Sequence, residues 1–296
     1  MQKAKVAIAL NPSRIEGTIK TANLIGLPDF QDMVVFIKPN FNTADPPPGS
    51  THIDSLRTVI RIIKEGGPRR IIVGDRSGPT STRKVFMEKG ILELSDELGF
   101  EHMILDELPD EYWEKYDPPG SHWRDGFYFA KPAIEADAVI SLCCLKTHRF
   151  GGYFTMSLKL TTGLVHRKNM IELHSSVRKQ RMMIAEMNYP YSPKLIIMDG
   201  VDSFYKGGPM KGASWKANLT FASKDRIAID AVGLAALKMH GTTRHIQTKP
   251  IFEQDQIRRA VELNLGVSSP QEIEIVPVDE ESSDVALKIE KILRAG

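Results

Sequence analysis

Lys146-Thr147-His148 carries the densest chemistry in this chain, directly after the apolar run Ala138-Val139-Ile140-Ser141-Leu142. A lysine beside other cations in a partly buried crevice has its pKa lowered, and histidine titrates near neutrality, so either Lys146 or His148 would serve as acid or base. The bland alternative has Lys146 bound to a backbone carbonyl and His148 capping a turn. Asp199-Gly200 ends the run Leu195 to Met198, where its carboxylate would orient the histidine or bind a cation. Gly207 and Gly208, in the loop Gly207-Gly208-Pro209-Met210-Lys211-Gly212, would let backbone approach a ligand closely.

Two further clusters suit an anion. Lys38-Pro39-Asn40 sets an ammonium and a carboxamide at the end of Met33 to Ile37, with Pro39 stiffening the exit. Gly74-Asp75-Arg76-Ser77-Gly78-Pro79-Thr80-Ser81-Thr82 offers glycines and hydroxyls ahead of a helix, a setting for phosphate. Asp75 and Ser77 are its candidate ligand residues, and Thr80 or Ser81 would otherwise cap the helix. Lys159, downstream of Gly151-Gly152, adds a third cation for the anion.

Several specific chemistries are excluded. None of these loops is the G-x-G-x-x-G dinucleotide fingerprint, and Ala213 stands where a Walker sequence needs lysine after Gly212, which rejects nucleoside-triphosphate hydrolysis. His166 and His174 lie eight apart and His240 and His245 five apart, neither with H-E-x-x-H spacing, so no metal site is expected. Cys143 and Cys144 are adjacent within an apolar run and read as core packing.

Clusters so far apart in the chain converge only if their strands lie parallel in one sheet, with the carboxyl ends forming a ligand crevice. The pattern supports this. Lys5 to Leu10, Val34 to Ile37, Ile71 to Val73, Ala136 to Leu145, Lys194 to Met198, Ala217 to Ala222 and Glu272 to Val276 read as strands. Leu56, Val59, Ile60 and Ile63 give the one-sided spacing of a helix over Ile53 to Lys64. Further helices are expected at Thr82 to Leu98, Ser176 to Met187, Arg226 to His240, Ile257 to Leu263 and Val285 to Leu293, with Asp225 capping one of them. Only a connection holding Gly26 and Pro28 is read between the first two strands. Proline-broken, aromatic Leu108 to Phe129 reads as a packed surface loop or a lid. The fold class is α/β, a mostly parallel sheet flanked by helices.

At 296 residues the chain suffices for a large core, and Lys+Arg 39 against Asp+Glu 37 leaves a net charge of +2, too small for a nucleic-acid footprint. No apolar stretch approaches the roughly 20 residues of a membrane span, and no long apolar segment opens the chain as a secretory signal does. The expectation is a soluble cytoplasmic protein with neither nucleic-acid nor membrane partners.

The strand ending in Lys38-Pro39-Asn40, the Gly74-Asp75 turn and the Asp137 to Val165 block resemble the family called domain of unknown function 362. So do Asp199-Gly200, Gly207-Gly208-Pro209 with Gly212, and Ser223 with Asp225, Ala228, Asp230 and Ala231. The likeness covers about residues 33 to 240. Many members of that family carry a ferredoxin-like module with four-cysteine runs. With only Cys143 and Cys144, this chain cannot itself supply the four thiolates of an iron–sulfur cluster. The family's lysine-threonine-histidine is kept, whereas its usual lysine-asparagine pair appears here as Lys159-Leu160.

Asp75 through Thr82, and Asp137 through Gly163 with His148, Gly151-Gly152 and Lys159, are also faintly similar to the lactate racemase family. That resemblance implies two α/β lobes around a cleft, a nickel-pincer nucleotide, and hydrogen movement on a hydroxy acid. A single domain over 1–296 is expected, as one body or as two lobes with a boundary in the region 130–200. The leading expectation is an enzyme that binds a small anionic metabolite through Lys38, Asn40 and Lys159. It would move a proton or hydride with Lys146, His148 and Asp199, in racemase or oxidoreductase fashion. The rival is a non-catalytic binding or redox-accessory protein working with a separate ferredoxin-like iron–sulfur partner.

Overall fold

The computed structural model describes residues 3–296. Its strands are β1 (Ala4–Leu10), β2 (Val34–Lys38), β3 (Arg70–Asp75), β4 (Glu101–Ile104), β5 (Trp113–Tyr116), β6 (Phe127–Ala130), β7 (Ala138–His148), β8 (Tyr153–Thr155), β9 (Leu195–Gly207), β10 (Gly212–Ser223) and β11 (Ile273–Pro277). Nine of them form one sheet, in the order β11-β1-β10-β9-β7-β2-β3-β4, with β8 paired to the end of β7. The fold is α/β, as expected.

The four strands that end in polar clusters are neighbours. β9, β7, β2 and β3 run parallel, in registers such as Ile140↔Leu195, Val35↔Ala138 and Val34↔Arg70. Their carboxyl ends therefore share one edge of the sheet. β10 runs antiparallel to both β9 and β1, so the sheet is mixed, although parallel pairing dominates its centre.

Alternate residues of these strands feed two apolar cores, as a period of two requires when both faces are covered. Val35, Ile37, Ile71, Val73, Ile140 and Leu142 pack on one face, beneath the helices Ile53–Glu65, Thr82–Glu88 and Ile91–Leu98. Phe36, Ile72, Val139, Cys143 and Leu145 pack on the other, beneath Arg226–His240 and its neighbours. Among the described residues, no helix is long and apolar enough to cross a membrane.

β7 runs on through Lys146-Thr147-His148 and β9 through Asp199 to Gly207, so both clusters lie within strands rather than after them. Three further elements differ from expectation. A helix, Arg14–Ile25, fills the connection between β1 and β2. It buries Gly17, Thr18, Thr21 and Ala22 while Ile15, Ile19 and Leu24 stay exposed, so its inward face carries no apolar signal. A Cβ on Gly17 would lie 2.6 Å from the Thr220 hydroxyl, so small residues are what let this helix reach the sheet. The expected helix over 82–98 is two, because Gly90 is left-handed at φ 66°. Short β4 is the third, an edge strand beside β3.

The 108–129 segment is packed down. β5 and β6 form a hairpin, and Trp113, Trp123, Phe127 and Phe129 are buried. Buried Glu186 accepts from His122 Nδ1 at 2.6 Å and from Arg259 Nε at 2.9 Å, and Arg259 also donates to the Pro119 and Gly120 carbonyls.

Candidate functional site

At the shared edge lies a cavity of about 500 Å³, within the range of pockets that hold small-molecule ligands. Its wall contains Lys38, Arg76, Lys146, Lys159, His148 and His174, and no Asp or Glu. The hydrogen bonds of each cation determine how much of it a ligand can use.

Lys38 Nζ lies 2.7 Å from Asp75 Oδ1 and donates to the Pro39 carbonyl at 2.5 Å. Asp75 also accepts from the backbone N–H groups of Phe41 and Arg76. Burial lowers the Lys38 pKa and raises that of Asp75, and their mutual attraction opposes both shifts. Gly163 roofs this pair: a Cβ there would fall 2.2 Å from Asp75 Oδ1, so glycine is required by close approach. Arg76 donates to the carbonyls of Val165, Ser77 and Thr162 and to the Met170 sulfur, which occupies four of its five N–H bonds. Lys146 Nζ donates to the carbonyls of Pro48 at 2.8 Å and Gly49 at 2.7 Å, which leaves one of its three N–H bonds for a ligand. Burial pushes its pKa down to about 8.

Lys159 is different. It is buried, yet its ammonium makes no hydrogen bond or ion pair among the described residues. Burial first, then repulsion from Lys146 and Arg76, brings its pKa down to about 8. The short helix that carries it, Ser157–Leu160, is held from behind by Asp230, whose carboxylate accepts from the N–H of Ser157 at 2.7 Å and of Leu158 at 3.0 Å. Asn188 Nδ2 donates to the Leu158 carbonyl at 2.9 Å. Burial pushes Asp230 up to about 7.

The two histidines present opposite faces. His148 Nδ1 accepts from the Phe150 N–H at 3.2 Å, so the neutral ring carries its proton on Nε2. His174 Nδ1 lies 2.7 Å from the Met170 carbonyl, which can only accept, so its proton sits on Nδ1 and Nε2 keeps a free lone pair. Burial is the main reason both pKa values are lowered, and the charge of Lys159 adds to it. One ring is thus a donor and the other an acceptor.

Of the residues singled out from sequence, Lys38, Asn40, Lys146, His148 and Lys159 meet in the cavity wall. Asp75 lies beneath it as the partner of Lys38. Ser77 is turned inward, its hydroxyl donating to the Phe41 carbonyl at 2.6 Å. The N–H groups of Arg76, Ser77 and Gly78 are already bonded to Asp75, Thr82 and Asn42, so they form no free phosphate cradle. Gly207 and Gly208 stand behind the wall, where a Cβ on Gly208 would lie 2.1 Å from the Thr147 carbonyl; Pro209 and Met210 reach the cavity instead.

Asp199 is not in the wall. Its Oδ2 accepts from Arg14 Nε at 2.8 Å and from the Ser55 hydroxyl at 3.1 Å, and its Oδ1 from the Val201 N–H at 3.0 Å. Its place is thus beside Arg14 rather than against His148. Asp225 caps the helix Arg226–His240 as expected. Cys143 and Cys144 are buried free thiols whose pKa values burial raises. Among the described residues, no group of three or more His, Cys, Asp or Glu side chains is placed to hold a metal ion.

Sequence reasoning weighed His174 only as a metal ligand and missed Thr155 and Thr162 in the wall. Their only signal would have been nearness in sequence to Lys159 and Met170. The Thr155 and Thr162 hydroxyls have no partner although both oxygens are buried.

These features define an α/β protein with a cation-walled cavity at the carboxyl edge of its parallel strands. The chain belongs to the family described as Domain of unknown function (DUF362), whose profile matches residues 35–235. No curated protein sequence matches it. Among solved structures it is similar to the lactate racemase apoprotein from Thermoanaerobacterium thermosaccharolyticum, with 10% identity over 96% of this chain and 85% of that one, at a TM-score of 0.37. A score that low carries no inference about chemistry.

Proposed function

We propose that this protein is an enzyme that binds a small organic anion and moves a proton on it. The observation that carries the proposal is a cavity wall holding Lys38, Arg76, Lys146 and Lys159 with no carboxylate facing the space between them. Such a wall repels cations and leaves donor hydrogens that only an acceptor-rich ligand can satisfy. Lys159 contributes a whole ammonium, Lys146 and Lys38 their remaining N–H bonds, and Asn40 a further polar group.

His148 Nε2–H then donates toward the oxygen on which charge develops, and His174 Nε2 accepts the proton. Burial of His148, and for the more exposed His174 partial burial with the charge of Lys159, favour the neutral rings, so each holds the form its role needs. Lys159 is the charge that stabilises the resulting anion.

The test is proton exchange. Wild-type protein is incubated in D2O with a panel of 2-hydroxy and 2-oxo acids, and loss of the C2–H signal of each hydroxy acid and of the C3–H signal of each oxo acid is followed by NMR. Exchange that His148→Gln and Lys159→Met each abolish, with folding retained, is expected. Acids that bind without any exchange would contradict proton transfer and leave a binding protein.

A further inference from the structure

The cavity has two unlike ends. Its floor is charged and dry: Lys38, Lys146 and Lys159 are 1%, 0% and 9% exposed. Its mouth is more open and carries the apolar side chains of Phe150, 47% exposed, and of half-buried Met170 and Met210, beside the polar Asn42, Thr162 and His174. Arg149 lies over the Phe150 ring at 4.7 Å from its centroid, and His148 meets that ring edge-on at 5.8 Å. An aromatic ring and two methionine side chains at a cavity mouth are suited to a ligand's apolar part, Met210 as an adaptable thioether and Met170 with its sulfur held by Arg76 at 3.1 Å.

The charges at the floor can be counted. Of the three ammonium groups, only Lys38 has a carboxylate partner, Asp75. Lys146 is bonded to neutral carbonyls and Lys159 to nothing among the described residues, so two positive charges stand uncompensated. A buried charge without a partner is costly, and a ligand bringing one negative charge for each removes that cost. The unpartnered hydroxyl of Thr155, only 7% exposed, adds a donor to the same wall.

We propose that the cavity's ligand is amphipathic: a dianionic head on the floor between Lys146 and Lys159, and an apolar body along Met170, Met210 and Phe150 at the mouth. This rests on the anion reading above and narrows it to a substrate class. Seating such a head raises the proton affinity of Lys146 and Lys159, both held at about 8 in the free protein, so binding takes up protons above neutral pH. A small hydrophilic acid would satisfy the floor and leave the mouth unused.

Calorimetric titration with four probes separates the parts: phenyl phosphate, inorganic phosphate, benzoate and benzyl alcohol. Phenyl phosphate is expected to bind at least tenfold tighter than either inorganic phosphate or benzoate, and benzyl alcohol not to bind. The double variant Met170→Ala with Met210→Ala, and separately Phe150→Ser at its exposed position, should weaken phenyl phosphate at least fivefold and inorganic phosphate less than twofold. Inorganic phosphate matching phenyl phosphate would overturn the apolar body. Benzoate matching it would overturn the second charge. Failure of every anion to bind would overturn the anion reading together with this one.

Discussion

Two polar clusters lie near the carboxyl edge of the parallel strands, one around Asp199 within β9 and one around Lys159 on the short helix after β8, and they are built in opposite ways. Around Asp199 every charge is answered: Arg14 bridges Asp199 at 2.8 Å and Asp202 at 2.5 Å, and Ser55 and the Val201 N–H donate to Asp199 as well. In the second cluster Lys159 itself has no partner among the described residues, and the hydroxyls of Thr155 and Thr162 are equally without partners. The first cluster ties helix Arg14–Ile25 to the sheet. The second keeps its donors for something outside the chain. Polarity at a strand end therefore says little about function; whether the polar groups satisfy one another says much more.

The largest effect that sharpens this contrast is expected from Asp230→Ala. It leaves the buried N–H groups of Ser157 and Leu158 without an acceptor, at about 1–3 kcal/mol each, and it releases the helix that carries Lys159. Denaturant unfolding should show a loss of several kcal/mol, and phosphate affinity should fall as well. Asp199→Ala comes next, with a loss of about 3 kcal/mol, the low end for breaking a buried pair because Asp202 still holds Arg14. Its phosphate affinity should stay within twofold of wild type. A large loss of affinity there would break the contrast.

A smaller effect is pH dependence. Lys146 and Lys159 lose their protons near pH 8 in the free protein, so anion affinity is fully present below that pH and should fall by about tenfold per unit above it for each lysine whose proton the complex requires. The same depression predicts that their contribution to fold stability rises between about pH 8 and the unfolded lysine value near 10.4, because the unfolded chain then binds more protons. Affinity and fold stability thus move oppositely. Thr155→Val should have the smallest effect. Removing a hydroxyl that has no partner changes stability by less than about 0.5 kcal/mol, and phosphate should bind a few-fold more weakly.

The end of β2 was legible because a buried parallel strand reads as a continuous apolar run that breaks sharply into charge, at Ile37-Lys38, whereas the same break at Met198-Asp199 misled, since β9 runs on to Gly207. Helix Arg14–Ile25 was not legible, since its buried face is Gly17, Thr18, Thr21 and Ala22. Lys38, Lys146, His148 and Lys159 were legible as types at strand and turn boundaries. What separates them was hidden: Lys146 is pinned by Pro48 and Gly49, nearly a hundred residues upstream, while Lys159 is left free. Asp199 shows the same blindness from the other side, because its partner Arg14 lies 185 positions away. Sequence shows which groups carry charge, and only the folded chain shows which of them are already satisfied.

The central claim is that Lys159 is an ammonium reserved for an anionic ligand, and calorimetric titration of inorganic phosphate into wild type and Lys159→Met at pH 7 tests it most directly. Saturable one-to-one binding to wild type, weakened at least tenfold in a Lys159→Met protein that melts no lower than wild type, is the predicted result. Equal affinity in the two proteins, or no binding to wild type, would contradict it.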